Sequence, residues 1–458
     1  MKSFHNFTIS QIYNFIMHYA LYIMHYQLSI ITLALLLFAL PVAAQTDSTS
    51  TSSYSNLVLP PAGVDVVTVE EESAPDDTDT LQMESHVPPT LPWPQRLQAR
   101  LEELTHHPMF ETSQVGLMVH DLTSDSVIFR YNHRQLLRPA STMKVITADT
   151  ALDRLGGGYK YRTRLCANGK MEGRTLRGDL YCVGGMDPLF DNTDLKAFVE
   201  SVRAAGIDTI QGRLIADLSF KDNDILGEGW CWDDDNPMLT PLLIGKKDQF
   251  MQRFEAELRA ARITLTGNRT AGRTPLGVSV LCERTHTIDE VLTTMMKESD
   301  NLFAESMFYQ TAAASGQRPA SASHARQQTR QLIKTMGLDP AAYKVADGSG
   351  LSLYNYVSAE LEVAFLKYAF RDDMIFVKLY SSLPIAGVDG TLKKRMKKTA
   401  AANNVHAKTG TVSGISSLAG YCTASNGHRL AFCIINQGVM RGSTGRAFQD
   451  RVCIALCE

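Results

Sequence analysis

The alternation of apolar and polar positions predicts strands near both ends of the folded part of the chain. Residues 115–132, "VGLMVHDLTSDSVIFRYN", form two alternating runs joined by a Thr-Ser-Asp turn, which is typical of a hairpin. Residues 406–439 are equally strand-like and contain a second hairpin turn, "ASNGHR". We therefore expect one sheet that is built from both ends of the chain.

Helical periodicity surrounds these strands. A helix is predicted in "PQRLQARLEELTHH" before the first hairpin and in "STGRAFQDRVCIALCE" at the C-terminal end of the sequence. A long helix is predicted between Pro139 and the three glycines that start at Gly156, because proline is favoured at a helix start and glycine at its end. Further helical patterns begin at residue 287 and cover residues 323–336 and 358–370. The predicted fold class is α+β, with helices packed on the faces of the sheet.

Residues 161–282 differ from the rest of the chain in their pattern of apolar and polar positions. Short strand-like runs such as "YRTRLCA" and "GRLIADLSF" accompany one helical stretch at residues 194–205. We predict that this segment is an inserted, smaller α+β domain. Residues 93–160 and 283–458 then form the principal domain.

The first 44 residues predict an export signal. The run "LSIITLALLLFALPVAAQ" has no charge and ends in small residues, so a secretory signal with cleavage after Ala44 is expected. Uncleaved, this segment would be the expected contact with a membrane. Residues 45–92 are polar and are predicted to form a disordered linker. An exported protein, periplasmic or otherwise associated with the cell envelope, is expected.

Composition and charge exclude several classes of function. The 458 residues are 44% hydrophobic, which is ordinary for a globular protein, and the formal net charge is -3. Without a basic field, no nucleic acid partner is expected. The twelve histidines and eight cysteines have no metal-ligand spacing, so neither a metal nor another cofactor is predicted. The sequence leaves the oligomeric state undetermined.

The cysteines leave two interpretations open. Cys422 and Cys433 flank a hairpin turn, and Cys166 and Cys182 flank "ANGKMEGRTLRGD". Each pair is either a cross-strand disulfide, which export would permit, or two buried thiols.

Ser141 and Lys144 are the first candidates for chemistry. They lie three positions apart in "RPASTMKVITADTAL", so on a helix the amine can reach the hydroxyl. A neutral lysine next to a serine is a base next to a nucleophile, and the helix start offers backbone N–H groups to an oxyanion. The alternative is an ordinary N-cap, since serine is favoured there.

Two further elements favour catalysis. "ESDNLFAES" contains Ser299 and Asn301, which can both project into a cleft from a helix boundary. "HAKTGTVSG" contains Lys408 to Thr411 on a predicted strand, where Gly410 would allow a substrate backbone to lie against the strand. Lys408 is expected to lower the pKa of Lys144, and the hydroxyls of Thr409 and Thr411 are candidates for binding a carboxylate. Ser-x-x-Lys, Ser-Asp-Asn and Lys-Thr-Gly in this order are the signature of penicillin-binding proteins and class A β-lactamases.

The sequence resembles the D-alanyl-D-alanine carboxypeptidase/endopeptidases of peptidase family S13, the class C low-molecular-mass penicillin-binding proteins. The resemblance extends from about residue 94 to the C-terminus and also includes "LRGDLYCVGGMDPLF", "GWCWDDDNP", "VADGSGLSLYNYVS" and "GVDGTLKKRM". It implies the penicillin-binding, β-lactamase-like transpeptidase fold, an antiparallel sheet flanked by helices. It also implies a serine-type D-Ala-D-Ala carboxypeptidase (EC 3.4.16.4), with possible endopeptidase action, whose partners are peptidoglycan peptides and β-lactam antibiotics.

The resemblance implies a role for each motif residue. Ser141 would be acylated and Lys144 would take its proton. Ser299 and Asn301 would shuttle the leaving-group proton and hold the substrate amide, and Lys408 would stabilise developing charge. The hydroxyls of Thr409 and Thr411, beside Gly410, would bind the terminal carboxylate. The oxyanion hole would consist of the backbone N–H groups of Ser141 and Thr411.

The resemblance also implies an acidic residue of the inserted domain near the substrate's free amine. Asp217 in "GRLIADLSF" is the candidate, although it could equally cap a turn. The 158 positions from Ser141 to Ser299 are fewer than in relatives with two nested insertions, so one insertion is expected to be absent. The stretch "PLLIGKKDQF", residues 241–250, is more basic than expected at that place.

Two other functions use the same residues. A β-lactamase would need a deacylating group, but no Glu-x-x-Leu-Asn block is found, and Ser299-Asp300-Asn301 stands where class C β-lactamases have a Tyr-x-Asn pattern. A non-enzymatic wall-binding or antibiotic-sensing module would have no need of intact catalytic motifs. The carboxypeptidase is therefore the preferred hypothesis.

Overall fold

The computed structural model describes residues 90–232 and 236–458. The predicted export signal, almost all of the predicted linker and the acidic residues 233–235 lie outside the described residues. No helix in the described part of the chain is long and apolar enough to cross a membrane.

The first sheet joins the two ends of the described chain, as the sequence predicts. Its strands are β1 (Gln114–Asp121), β2 (Ser126–Tyr131), β10 (His406–Val412), β11 (Ile415–Thr423) and β12 (Arg429–Gln437). The sheet is antiparallel, with the strand order β10-β11-β12-β1-β2, so the hairpin near residue 120 pairs with the strands near residue 430. The strand β10, which carries the Lys-Thr-Gly element, is therefore an edge strand.

Helices cover both faces of this sheet. Because successive side chains of a strand point to opposite faces, Cys433 and Ile435 of β12 belong to one core while Phe432 and Ile434 belong to the other. The first core contains α2 (Met143–Leu155), α5 (Ile288–Lys297), α6 (Asn301–Ala314), α7 (Ala322–Thr335), α8 (Ala359–Phe370) and α9 (Asp373–Ser382). The second contains α1 (Trp93–Leu104) and α10 (Gly442–Cys457).

A second, seven-stranded sheet covers the segment predicted as an insertion and extends slightly beyond it, from Lys160 to Thr287. It has its own apolar core, formed with two helices that include Phe198 and Phe254. Its elements are β3 (Lys160–Glu172), β4 (Thr175–Val183), α3 (Asn192–Ala204), β5 (Thr209–Ile210), β6 (Leu214–Asp217), α4 (Phe250–Ala260), β7 (Thr264–Leu265), β8 (Arg269–Ala271) and β9 (Ser279–Thr287). Lys160 pairs with Thr287, so the strands that enter and leave the segment are neighbours. A separate core and adjacent ends support our proposal that residues 161–282 are an inserted domain.

The structure differs from the predicted helices at three places. The helical pattern that begins at residue 287 is two helices, α5 and α6, separated at Ser299, where φ is +61°. The helices α4 and α9 were not predicted: Gln249 at the start of α4 makes no side-chain cap, whereas Asp372 does cap α9 and was overlooked.

The suggested disulfides are not formed, and all eight cysteines are free thiols. Cys422 pairs with Leu430 and Cys433 with Ala419, so the two cysteines face different cores on opposite sides of the sheet. Cys166 pairs with Tyr181, and Cys182 lies opposite Leu165, which again places the thiols on opposite faces. Flanking the same turn does not bring two side chains together unless they share a face.

Candidate active site

Ser141 lies on a tight turn that precedes the long helix. Residues Ala140–Thr142 form a 3-10 turn, and α2 begins at Met143, so the serine precedes the predicted α-helix instead of belonging to it. Ala140 has φ +49°, a left-handed conformation that is unfavourable for a residue with a Cβ. A side chain at Gly350 would overlap the Ala140 carbonyl, so that glycine is required for the turn to pack as it does. The backbone at the serine is thus fixed from two sides.

Lys144 is fully buried and makes three hydrogen-bonding contacts. Its Nζ lies 2.9 Å from Ser141 Oγ, 2.8 Å from Asn301 Oδ1 and 2.8 Å from the Ser349 carbonyl oxygen. A neutral amine has two N–H groups and one lone pair. The two carbonyl oxygens can each accept one N–H, which leaves the lone pair directed at the Ser141 hydroxyl. The arrangement is that of a base next to a nucleophile.

Burial lowers the pKa of Lys144 to about 8, while the charges of Asp347, Glu305 and Asp300 oppose this change. We expected Lys408 to lower this pKa, and desolvation is instead its dominant cause. The repulsion between the two lysines acts on Lys408 instead. Burial and then Lys144 lower the pKa of Lys408 well below its usual range.

Ser299 and Asn301 enter the site from the start of α6. Asp300 is the N-cap of this helix, and its carboxylate accepts a hydrogen bond from the Phe303 backbone N–H at 3.2 Å. The left-handed φ of Ser299 turns its hydroxyl toward Lys408, whose Nζ donates to Ser299 Oγ at 2.8 Å. The structure therefore brings together all five predicted catalytic residues.

Gly410 packs against the turn that carries the nucleophile. A side chain there would overlap Ser417 Oγ and would lie 2.7 Å from the Pro139 carbonyl oxygen and 2.9 Å from the Ser141 nitrogen. The glycine therefore makes room for this turn, and its role in making room for substrate stays a prediction. This close approach places the backbone N–H of Ser141 beside β10.

The outer edge of β10 is open next to the serine. The Ala407 N–H donates to the Pro384 carbonyl at 3.0 Å, so it points away from β11. Because strand N–H groups alternate in direction, those of Thr409 and Thr411 point to the same outer edge. The Thr409 hydroxyl contacts the Thr391 hydroxyl at 2.7 Å. Thr391 was not singled out from the sequence, although it lies in the block "GVDGTLKKRM".

Asp217 binds its own domain. Its buried carboxylate accepts hydrogen bonds from the backbone N–H groups of Ser219 at 3.0 Å and Thr274 at 2.8 Å. These bonds lower its pKa against the opposing effect of burial. The geometry gives Asp217 the turn-capping role that was the alternative interpretation, and its assignment to substrate binding stays a prediction.

Two buried carboxyl groups support the site and were missed. Glu305 Oε1 accepts hydrogen bonds from the N–H groups of Gly348 and Ser349, which fixes the carbonyl that Lys144 contacts. Asp347 accepts a hydrogen bond from Trp230 Nε1 at 2.8 Å, which connects the inserted segment to the same turn. Neither acid was singled out from the sequence, although Glu305 lies in "ESDNLFAES" and Asp347 in "VADGSGLSLYNYVS".

The chain matches the model of the D-Ala-D-Ala carboxypeptidase 3 (S13) family over residues 97–242 and 245–456. The protein belongs to the S13 family. It is 27% identical to the D-alanyl-D-alanine carboxypeptidase of Actinomadura sp. (strain R39), over 79% of this chain and 84% of that protein. It is 26% identical to the D-alanyl-D-alanine carboxypeptidase DacB of Haemophilus influenzae, over 72% of this chain and 87% of that one.

The fold of this S13 protein is also found in solved structures. The crystal structure of penicillin binding protein 4 from Haemophilus influenzae superposes with a TM-score of 0.71 at 24% identity. The match covers 76% of this chain and 97% of that one. The predicted α+β penicillin-binding fold is thereby confirmed.

A pair of buried acids lies beneath the S13 nucleophile. The Thr142 hydroxyl, next to Ser141, contacts Glu362 Oε1 at 2.8 Å. Glu362 Oε2 and both carboxyl oxygens of Asp149 have no hydrogen-bond partner. Burial raises the pKa of Glu362 to about 7, and burial together with Glu362 raises the pKa of Asp149 well above its usual range. Both groups are therefore held in their neutral forms at mildly acidic pH.

Replacing Glu362 by Gln is expected to flatten the dependence of stability on pH. A raised pKa means that the folded state binds the proton more tightly, so the wild-type protein loses stability as pH rises from 4.5 through about 7. The variant keeps an acceptor for Thr142 and has no charge to bury. At pH 8 its free energy of unfolding should therefore exceed that of the wild type by about 1–3 kcal/mol. Chemical denaturation at pH 5 and pH 8 measures this difference. A control variant at an exposed position, Glu200→Gln, should show the same pH dependence as the wild type. A Glu362→Gln variant that loses as much stability between pH 5 and pH 8 as the wild type does would contradict the assignment.

Proposed function

We propose that this S13 enzyme releases the terminal D-Ala of peptidoglycan stem peptides through an acyl-enzyme on Ser141, and that β-lactams acylate the same residue. Activity as a serine-type D-Ala-D-Ala carboxypeptidase follows from membership of the family. The observation that carries the assignment of residues is the contact set of Lys144. A buried amine with a lowered pKa, 2.9 Å from a serine hydroxyl, can take its proton near neutral pH.

Acylation begins when Ser141 Oγ attacks the carbonyl carbon of the penultimate D-Ala while Lys144 takes the hydroxyl proton. The backbone N–H groups of Ser141 and Thr411 would then stabilise the oxyanion. The proton returns to the leaving nitrogen through Ser299, which lies beside Lys408 Nζ. Terminal D-Ala departs, and water hydrolyses the ester to regenerate the serine.

The open edge of β10 is the surface that would orient the substrate. An extended peptide can pair with the outward N–H groups of Thr409 and Thr411 as an additional strand. The hydroxyls of these two threonines would then bind the terminal carboxylate, as the family resemblance implies. Asn301, which already contacts Lys144, has its amide N–H groups available for the substrate backbone.

A β-lactam presents its strained carbonyl to the same hydroxyl. Penicillin binding protein 4 of Haemophilus influenzae has been solved in complex with a β-lactam, at a TM-score of 0.67 to this chain. Since peptidoglycan lies outside the cytoplasmic membrane, we also propose that the protein acts in the cell envelope after export.

The proposed function is tested with purified muropeptides and mass spectrometry. Loss of one D-Ala from pentapeptides indicates carboxypeptidase action, and conversion of cross-linked dimers to monomers indicates endopeptidase action. Fluorescent penicillin should give a label that persists for many minutes. A protein that releases no D-Ala, or that turns the penicillin over rapidly as a β-lactamase does, would contradict the proposal.

A further inference from the structure

The basic stretch that departed from expectation forms a tight turn beside the site. Gly245 and Lys246 have φ values of +54° and +65°, and Ile244 and Lys247 exchange both backbone hydrogen bonds, at 3.0 and 3.1 Å. Two left-handed residues between paired neighbours are typical of a type I′ turn. Leu243 is buried in the core around α2, while Ile244 is buried in the core of the second sheet. The turn is therefore anchored in both cores.

Lys246 projects from the tip of this turn to the Ser-Asp-Asn element. Its Nζ lies 2.6 Å from Asp300 Oδ2, and the ammonium also lies 5.1 Å from the centre of the Phe303 ring. The other oxygen of Asp300 caps α6. Asp300 is thus held at both oxygens, and its neighbours in sequence are Ser299 and Asn301.

The charge of Asp300 acts on the catalytic base. Three carboxyl groups, those of Asp347, Glu305 and Asp300, raise the pKa of Lys144 against the effect of its burial. Lys408 is the cation that faces Lys144. A base must be neutral to accept a proton, so an ionised carboxylate near Lys144 reduces the active fraction at neutral pH. The ammonium of Lys246 offsets the charge of Asp300, the carboxylate that it contacts.

We propose that Lys246 is a positioning residue for acylation, which holds the Ser299–Asn301 turn through Asp300 and offsets the Asp300 charge that the catalytic lysine faces. The inference rests on the proposed function of Ser141 and Lys144. The match to the S13 family is interrupted at residues 243–244, directly before this turn.

The ion pair itself is expected to contribute little to folding. The Lys246 side chain is 47% exposed, and ion pairs in contact with water are screened. A Lys246→Met variant should therefore fold as the wild type does, and its defect should appear in rate and pH profile. These readouts separate positioning from a merely structural role.

The test is the second-order rate of acylation by a fluorescent penicillin, measured from pH 6 to pH 10. The Lys246→Met variant should be acylated about fivefold to tenfold more slowly at pH 7. The acid limb of its pH–rate profile, in which the rate rises with pH, should move to higher pH by about half a unit. The Lys246→Arg variant should have the acid limb of the wild type, because arginine keeps the positive charge. Adding Asp300→Asn to Lys246→Met should reverse the shift, since asparagine also caps helices and carries no charge.

Lys247→Met is the matched control, because Lys247 is adjacent and exposed and its side chain has no recorded ion pair among the described residues. Its profile should superimpose on that of the wild type. Superposition of the Lys246→Met profile on the wild type, or an equal shift in Lys247→Met, would overturn the inference. Failure of the wild-type protein to react with penicillin would instead contradict the proposed function, so the two failures are distinguishable.

Discussion

A Ser141→Ala variant is expected to release D-Ala at least about 10⁴-fold more slowly than the wild type, because it lacks the hydroxyl that Lys144 activates to form the acyl-enzyme. The hydroxyl contacts Lys144 Nζ at 2.9 Å, and the serine backbone is held by its turn, so removal of one oxygen leaves the fold intact. The same variant should gain no mass on incubation with a β-lactam.

Mass spectrometry of the intact protein and a D-Ala release assay measure the two effects. Circular dichroism and thermal denaturation provide the control for folding. Release of D-Ala at the wild-type rate would show that Ser141 is not the nucleophile, whatever the outcome of labelling.

The second large effect is expected for Lys144→Met, which removes the base but keeps an apolar chain of similar length in the buried site. Acylation by a β-lactam should slow by about 10²- to 10⁴-fold, the usual contribution of a positioned general base. In the wild type, the rate should rise with pH toward about 8, because the neutral amine becomes more populated as pH approaches the lowered pKa of Lys144. This acid limb should disappear in the variant.

The pH profile of acylation is the measurement that separates a base from a binding residue. Replacement of a residue that only binds penicillin would leave the acid limb in place and raise the penicillin concentration needed for the half-maximal rate. A Lys144→Met protein whose acid limb coincides with that of the wild type would contradict the assignment of Lys144 as the base.

The main sheet and the catalytic constellation could be predicted because their signals are local. The hairpin near residue 120 consists of two short apolar runs that flank a Thr-Ser-Asp turn, and α2 has glycine at its C-terminal end. The three motifs each contain their chemistry within three or four residues. Their assembly around Lys144 follows from the resemblance to a family with the same order of motifs.

Features that depend on distant packing could not be predicted. Glu305 and Asp149 occur on helices and read as ordinary acidic positions, since nothing local indicates that both are fully buried. The cause of the lowered pKa of Lys144 is also a tertiary property, because desolvation depends on everything that surrounds the amine. The choice between a disulfide and two buried thiols for each cysteine pair was left open for the same reason. A turn fixes neither the register of its strands nor the face on which each side chain lies.

The adjacency of Lys160 and Thr287 bears on how this enzyme can be engineered. Neighbouring ends suggest that the intervening segment could be excised and the gap closed with a short loop. Excision would also remove the indole that binds Asp347 and the ammonium that binds Asp300, which leaves two carboxylates near the reacting lysine without those partners. A truncated scaffold would therefore need compensating substitutions at both acidic positions before it could serve as a minimal catalyst.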